Sequence, residues 1–236
     1  IRTIMPEDLT AHGIALRGWS LVSAGDMAYD PAPRDKAAEL ARQALDLDPT
    51  SDLAWRVLAW VAWWNVYHAT TPSVPDTLAG GIDAATKAIA SDPTDHHARR
   101  IRALLQFMSQ SPDAGLSELR LAHEMNPNCA VTLGWLGLYE GFHGDATRGV
   151  LLAEAALRRS PRDPARGSML AALGFTHFAV RNYAEAAEAA EAALAESANS
   201  ATPLILGAIA WVGAGRIDRA RCAFRKVEAI APTLVA

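Results

Sequence analysis

Three stretches decide the fold: Ala84-Ala85-Thr86-Lys87-Ala88 running to Asp92-Pro93, Leu119-Arg120-Leu121-Ala122 running to Asn126-Pro127, and Ala153-Glu154-Ala155-Ala156 running to Ser160-Pro161. Each is a small-residue helical pattern closed by a proline, and the prolines stand 34 residues apart. Proline cannot continue a helix, and a fixed period of this length marks stacked helical hairpins. Pro49, after Ala41-Arg42-Gln43-Ala44 and Leu47-Asp48, is an earlier copy, and Pro232 is a later one. Pro161 and Pro232 are 71 residues apart, two periods plus three, and Tyr183-Ala184-Glu185-Ala186 through Ala193 supplies the intervening unit, with Ala198 where its proline would stand. Six units, 11–51, 52–95, 96–129, 130–163, 167–200 and 201–234, then account for the chain as one continuous domain over 1–236.

Apolar residues recur at helical spacing throughout, with no sustained alternation of the kind a sheet requires. Each unit divides into a helix A and a helix B. In the last, helix A runs from about Pro203 to Ala214, Gly215 turns the chain, and helix B runs from about Ile217 to Ile230. In the fifth the helices run from about Ser168 to Val180 and from Tyr183 to about Glu196. Small residues mark the A–B contacts: Gly18, Ala59, Ala103, Gly137, Gly174 and Ala208 against Ala37, Gly81, Gly115, Gly149, Ala186 and Ala220. Helix axes approach to about 8–10 Å only where the contacting side chains are small. Two proline-bearing insertions, Asp26 to Asp35 and Thr70 to Gly80, fall between helices A and B and are expected as loops.

Half of the residues are apolar and one fifth are charged, an ordinary globular composition for 236 residues. A formal charge of −4 offers no general attraction to phosphate backbones, which disfavours nucleic acid as a partner. Cys129 and Cys222 lie in different repeats, the usage of a reducing compartment such as the cytoplasm. The longest apolar run, Leu53 to Val66, contains Arg56 and Asn65, so no membrane span is expected. Pro6, Glu7 and Asp8 interrupt any secretory signal. The chain does not begin with methionine and reads as part of a longer protein.

These positions resemble the tetratricopeptide repeat, with its small residues in both helices, its alanine late in helix B and its closing proline. The match is clearest at Leu173-Gly174, Asn182-Tyr183, Ala186 and Ala193, and again at Ala208, Trp211, Gly215, Ala220, Phe224 and Pro232. Arg102 departs from it, standing where an aliphatic residue is usual. The resemblance implies an all-α, right-handed superhelical solenoid of about six hairpins whose A helices line a concave groove. Ser160-Pro161-Arg162-Asp163-Pro164 through Leu170-Ala171-Ala172-Leu173-Gly174, with Ala189 to Ala193 and the leader Leu16-Arg17-Gly18, also resembles the C-terminal repeat region of bacterial adenylate cyclases and of winged-helix transcriptional regulators. That similarity implies a regulatory role beside a catalytic or DNA-binding domain.

The unusual segment is the second A helix. Trp60, Trp63, Trp64 and Tyr67 are spaced i, i+3, i+4 and i+7 and form one stripe, while Trp55, Leu58, Ala59 and Ala62 form another. The resemblance places His12, Trp19 and Val22, Arg56, Trp60, Trp63 and Trp64, and Arg100, Leu104, Phe107 and Met108 on the groove. It adds Leu138 and Phe142, Phe175 and Phe178, and Ile205, Ile209 and Val212 from the later repeats. Either neighbouring A helices bury this surface or it stays open. An open aromatic patch would mark an interface, with Trp and Arg as its hot spots. The candidate partner-binding residues are therefore Trp19, Arg56, Trp60, Trp63, Trp64, Tyr67, Arg100, Leu104, Phe107, Phe142, Phe175 and Phe178.

No nucleophile elbow, Gly-rich phosphate loop or paired-carboxylate pattern is present, so an enzyme is not expected. His96-His97, His123, His143 and His177 lack the spacing of a metal-binding helix and read as surface or capping residues, with Thr94 or Asp95 as the N-cap. No cofactor or metal is implied. The arginine clusters, including Arg216, Arg219, Arg221, Arg225 and Lys226, read as solubility and helix-dipole features. The expected function is a protein-interaction or regulatory module that binds a protein or peptide segment. A sensor for a small apolar ligand and a homodimerisation module are the alternatives.

Overall fold

A computed structural model describes residues 6–23, 31–196 and 201–230. Among these residues the chain is all helix: α1 (Pro6–Ser23), α2 (Ala32–Leu47), α3 (Asp52–Tyr67), α4 (Val74–Ser91), α5 (His96–Met108), α6 (Pro112–Met125), α7 (Ala130–His143), α8 (Ala146–Arg159), α9 (Arg166–Ala179), α10 (Tyr183–Glu196), α11 (Ala201–Gly213) and α12 (Ile217–Ile230). Consecutive helices pair as hairpins, and within α1–α6 and within α7–α12 each pair leans on the next. By contacts the chain separates into two compact units, Ile1–Met125 and Asn126–Ala236. Unit 1 holds α1–α6 and unit 2 holds α7–α12.

The junctions between hairpins explain the proline period. At Asp48-Pro49-Thr50-Ser51 the Asp48 carboxylate accepts from the Thr50 amide at 2.9 Å and its hydroxyl at 2.7 Å. Ser51 then caps α3 by accepting from the Ala54 amide. Asp92-Pro93-Thr94-Asp95 repeats the device, with Thr94 bonded to Asp92 at 2.9 and 2.6 Å. Asp95, the N-cap of α5, accepts from the His97 and Ala98 amides at 2.8 and 3.1 Å. Proline stops one helix, the Asx-type turn redirects the chain, and the cap satisfies the orphan amides of the next helix. Pro232 and Ala198 lie outside the described residues.

The A-to-B turns share a second device. The amides of Thr70, Ser111, Asn182 and Arg216 reach back to the carbonyls of Asn65, Gln106, His177 and Trp211. In each case the residue before that amide is left-handed: Ala69 (φ 53), Gln110 (φ 60), Arg181 (φ 63) and Gly215 (φ 74). This is the Schellman closure, and only Gly215 makes it without a Cβ penalty.

The insertion expected as a loop over Thr70 to Gly80 is mostly helix. Ser73 caps α4, and Pro75 sits in the first turn, where its missing N–H has no partner to lose. The extra residues lengthen α4 instead of leaving it. Residues 32–35 of the first insertion likewise begin α2, and residues 24–30 lie outside the described part.

In unit 2, α7 and α8 meet backbone to backbone. A Cβ on Gly149 would lie 2.7 Å from the Gly137 carbonyl oxygen and 2.7 Å from the Gly141 amide nitrogen. Only glycine lets these backbones meet.

Candidate functional site

The tryptophan stripe belongs to α3, which touches α1, α2, α4 and α5 and so has neighbours on every side within unit 1. Its rings are buried: Trp60 is 8 % exposed, Trp63 2 % and Trp64 8 %. Trp63 stacks between Trp60 and Tyr67, at 4.8 Å to each ring, and meets Trp64 edge-on at 4.8 Å. His68 stacks on the outer face of Trp64 at 5.2 Å. The Trp60 indole N–H donates to the Val22 carbonyl at 2.9 Å, which ties α3 to α1.

The side chains above this stack close it further. The Arg56 guanidinium lies 4.5 Å over the half-buried Trp19 ring and pairs with Asp95 at 2.7 Å. Trp19 of α1 also reaches His97 of α5, with ring centroids 6.1 Å apart. Arg100 is buried, with its guanidinium 5.9 Å from the Trp60 ring centre. Stacked rings, two cation–π contacts and a partly buried ion pair thus connect α1, α3 and α5.

An open aromatic trough in repeat two is therefore not what the structure has. Trp60, Trp63, Trp64, Arg100 and Leu104 are buried, and Trp19, Arg56, Tyr67 and Phe107 are half-buried. The physical reason is position: α3 is the middle A helix of three, so both of its apolar stripes find helices to pack on. Phe107 leans on its own hairpin partner, and a Cβ on Gly115 of α6 would lie 3.1 Å from its ring.

His96 and His97 are half-buried at the start of α5, their rings 4.0 Å apart, and they are not the surface or capping residues expected. Burial, with the charges of Arg100, His96 and Arg56, pulls the His97 imidazole down to about 2. Burial and then Arg100 lower His96 as well. Both rings are neutral at physiological pH.

In unit 2, exposed apolar side chains gather around one hollow. Phe178 near the end of α9, Tyr183 at the start of α10, Ile209 and Val212 of α11, and Ile217 and Phe224 of α12 surround a hollow of about 800 Å³. Its floor is Ala208 and Ala220, both buried. Val212 is 56 % exposed, Ile217 44 % and Phe224 47 %. Arg221 and Arg225 stand on the α12 wall. Tyr183 is held by packing: a Cβ on Gly213 would come within 2.6 Å of its ring, and Phe178 lies 5.6 Å from it.

Of the residues singled out in the sequence, Phe178, Ile209 and Val212 come together here. Phe175 is half-buried, and Phe142 is exposed on α7 but does not line the hollow. Tyr183, Ile217, Phe224, Arg221 and Arg225 were missed. Their signal was present in α12, where Ile217, Arg221, Phe224 and Arg225 follow one another at i, i+4, i+7 and i+8 on a single face.

No protein-family model matches the chain, and no curated protein matches it by sequence. Solved structures do. PilF of Pseudomonas aeruginosa is similar at a TM-score of 0.62 and 17 % identity, over 97 % of this chain and 95 % of that one. A thermophilic TPR protein of Thermus thermophilus is similar at 0.62 and 16 % identity, over 86 % of this chain and 99 % of that one. Human IFIT1, solved as a dimer with m7Gppp-AAAA, is similar at 0.77 and 14 % identity, over 92 % of this chain and half of that one. The chain has the all-α helical-repeat fold of tetratricopeptide solenoids. Among the described residues no helix is long and apolar enough to cross a membrane.

Proposed function

We propose that this chain is a protein-interaction module whose contact surface is the apolar hollow of α9–α12, not the tryptophan stripe of α3. One observation carries the reading: Val212, Ile217 and Phe224, three large apolar side chains, are exposed around a single hollow of about 800 Å³. Exposed apolar surface gathered in one place is what interfaces use, whereas scattered exposed side chains are ordinary. The helical-repeat fold supports the same reading, because stacked hairpins present extended surfaces to partners.

A small apolar ligand would suit the volume, since pockets of about 300–1,000 Å³ hold such molecules. Those sites orient their ligand with convergent buried polar groups. Here the charged side chains of the wall, Arg221 and Arg225, are exposed, which suits a protein surface better. A regulatory place in a bacterial signalling protein rests only on the sequence resemblance of residues 160–193 and of the leader Leu16-Arg17-Gly18.

Peptide selection tests the reading. Peptides selected from a random library against the whole protein are expected to lose binding on Phe224→Asp and to keep it on Trp60→Phe. Selected peptides that ignore Phe224→Asp and depend on Trp60 would reject it.

A further inference from the structure

We infer that the occupant of the α9–α12 hollow is an amphipathic helix whose apolar stripe is flanked on one side by acidic residues. This rests on the reading of the hollow as the contact surface and adds the partner's chemistry. Backbone hydrogen bonding argues for a helix. The walls of the hollow are helices, whose amides and carbonyls are spent on their own turns, so no strand edge exists for an extended peptide to join. An extended segment laid over Ile209, Val212 and Phe224 would bury backbone groups without partners. A helix satisfies its own backbone and presents side chains at i, i+3, i+4 and i+7.

Charge argues for acidity on one flank. The helix α12 carries four Arg and Lys residues against two acids, Asp218 and Glu228, in a chain whose formal charge is −4. Arg219 is engaged by Glu191 at 3.1 Å. Arg221 has only the exposed Asp218 at 3.7 Å, and Arg225 has no ion pair among the described residues. Arg221 and Arg225 are also the two that line the hollow. The opposite wall, Phe178 and Tyr183, brings no charge. The partner's acids therefore belong beside α12.

The same arginines argue against a second copy of this chain. A two-fold interface places one patch against itself, which would bring Arg221 and Arg225 of both copies onto one apolar seam. Like charges at a desolvated seam oppose association.

Two synthetic helices of about five turns test the inference. Both carry leucines at i, i+3, i+4 and i+7; one has glutamates beside the leucines and the other lysines. Fluorescence anisotropy against the whole protein is expected to favour the glutamate helix by about tenfold at low salt. Arg221→Glu with Arg225→Glu is expected to reverse that order. Phe224→Asp should remove binding of both helices while far-UV circular dichroism stays unchanged. If the lysine helix binds as well or better and Phe224→Asp still abolishes it, the acidic-partner inference falls and the contact surface stands. If neither helix binds, or binding ignores Phe224→Asp, both fall together. Sedimentation showing a dimer that Phe224→Asp dissolves would overturn the inference in favour of self-association.

Discussion

Trp63→Ala separates a structural core from a binding surface at the stripe where the sequence is most suggestive. The indole is 2 % exposed, so truncation removes a fully buried ring, a change of about 3–5 kcal/mol. Its stacking on Trp60 and Tyr67 and its edge contact with Trp64, all at 4.8 Å, add aromatic terms of about 0.5–1.5 kcal/mol per pair beyond area. The upper half of the range is therefore expected, about 4 kcal/mol. With a urea slope of about 2 kcal/mol/M, the unfolding midpoint falls by about 2 M. Against a total stability of about 5–15 kcal/mol, that leaves unit 1 marginal. Urea titration followed by far-UV circular dichroism measures the shift, and Trp63→Phe should lose less than half as much. A midpoint within about 0.5 M of the parent protein would mean that the ring is not a packing element, and the burial argument for the whole α3 stripe would fail.

Two further outcomes follow from the same geometry. Gly149→Ala forces a Cβ to 2.7 Å from the Gly137 carbonyl oxygen and the Gly141 amide; backbone cannot yield as a flexible side chain would, so a loss of about 2–3 kcal/mol is expected in thermal or urea unfolding. A protein as stable as its parent would show that α7 and α8 can separate freely. His97 titrates near 2 when folded against 6.5 when unfolded, so the unfolded chain binds the extra proton. Stability is then full above about pH 6.5 and declines as pH falls below it, by up to about 2 kcal/mol between pH 7 and 5. His97→Gln should flatten that slope, and an unchanged slope would remove His97 as its source.

The fold was legible because its signals are local and repeated. Pro49, Pro93, Pro127 and Pro161 each stand between two helices, in turns such as Asp48–Ser51 and Asp92–Asp95 whose side-chain bonds involve residues two or three apart. Helix contacts were legible for the same reason, since Gly137, Gly149 and Gly174 mark approaches that leave no room for a Cβ. The loop expected at 70–80 failed on a local detail: Pro72 and Pro75 suggested an interruption, but Ser73 between them caps a helix in which Pro75 occupies a tolerated first-turn position.

The site was less legible because exposure is a property of neighbours, not of residue type. Trp60 in α3 and Phe224 in α12 are both large, apolar and part of a regular stripe. The first is sealed because α1 and α5 flank its helix and Val22 accepts its N–H. The second stays open because, among the described residues, α12 makes its principal contacts with α11 alone. Aromatic content therefore pointed to the middle of a run of hairpins, where packing demand is greatest and rings disappear into the core. A helix with one strong neighbour has a face left over, and the composition of that face states what can cover it. On α12 that face is Ile217, Arg221, Phe224 and Arg225, apolar and basic in alternation. Whatever covers it must meet two demands there, apolar contact and negative charge, and a partner's acidic amphipathic helix meets both without leaving a backbone group unpaired.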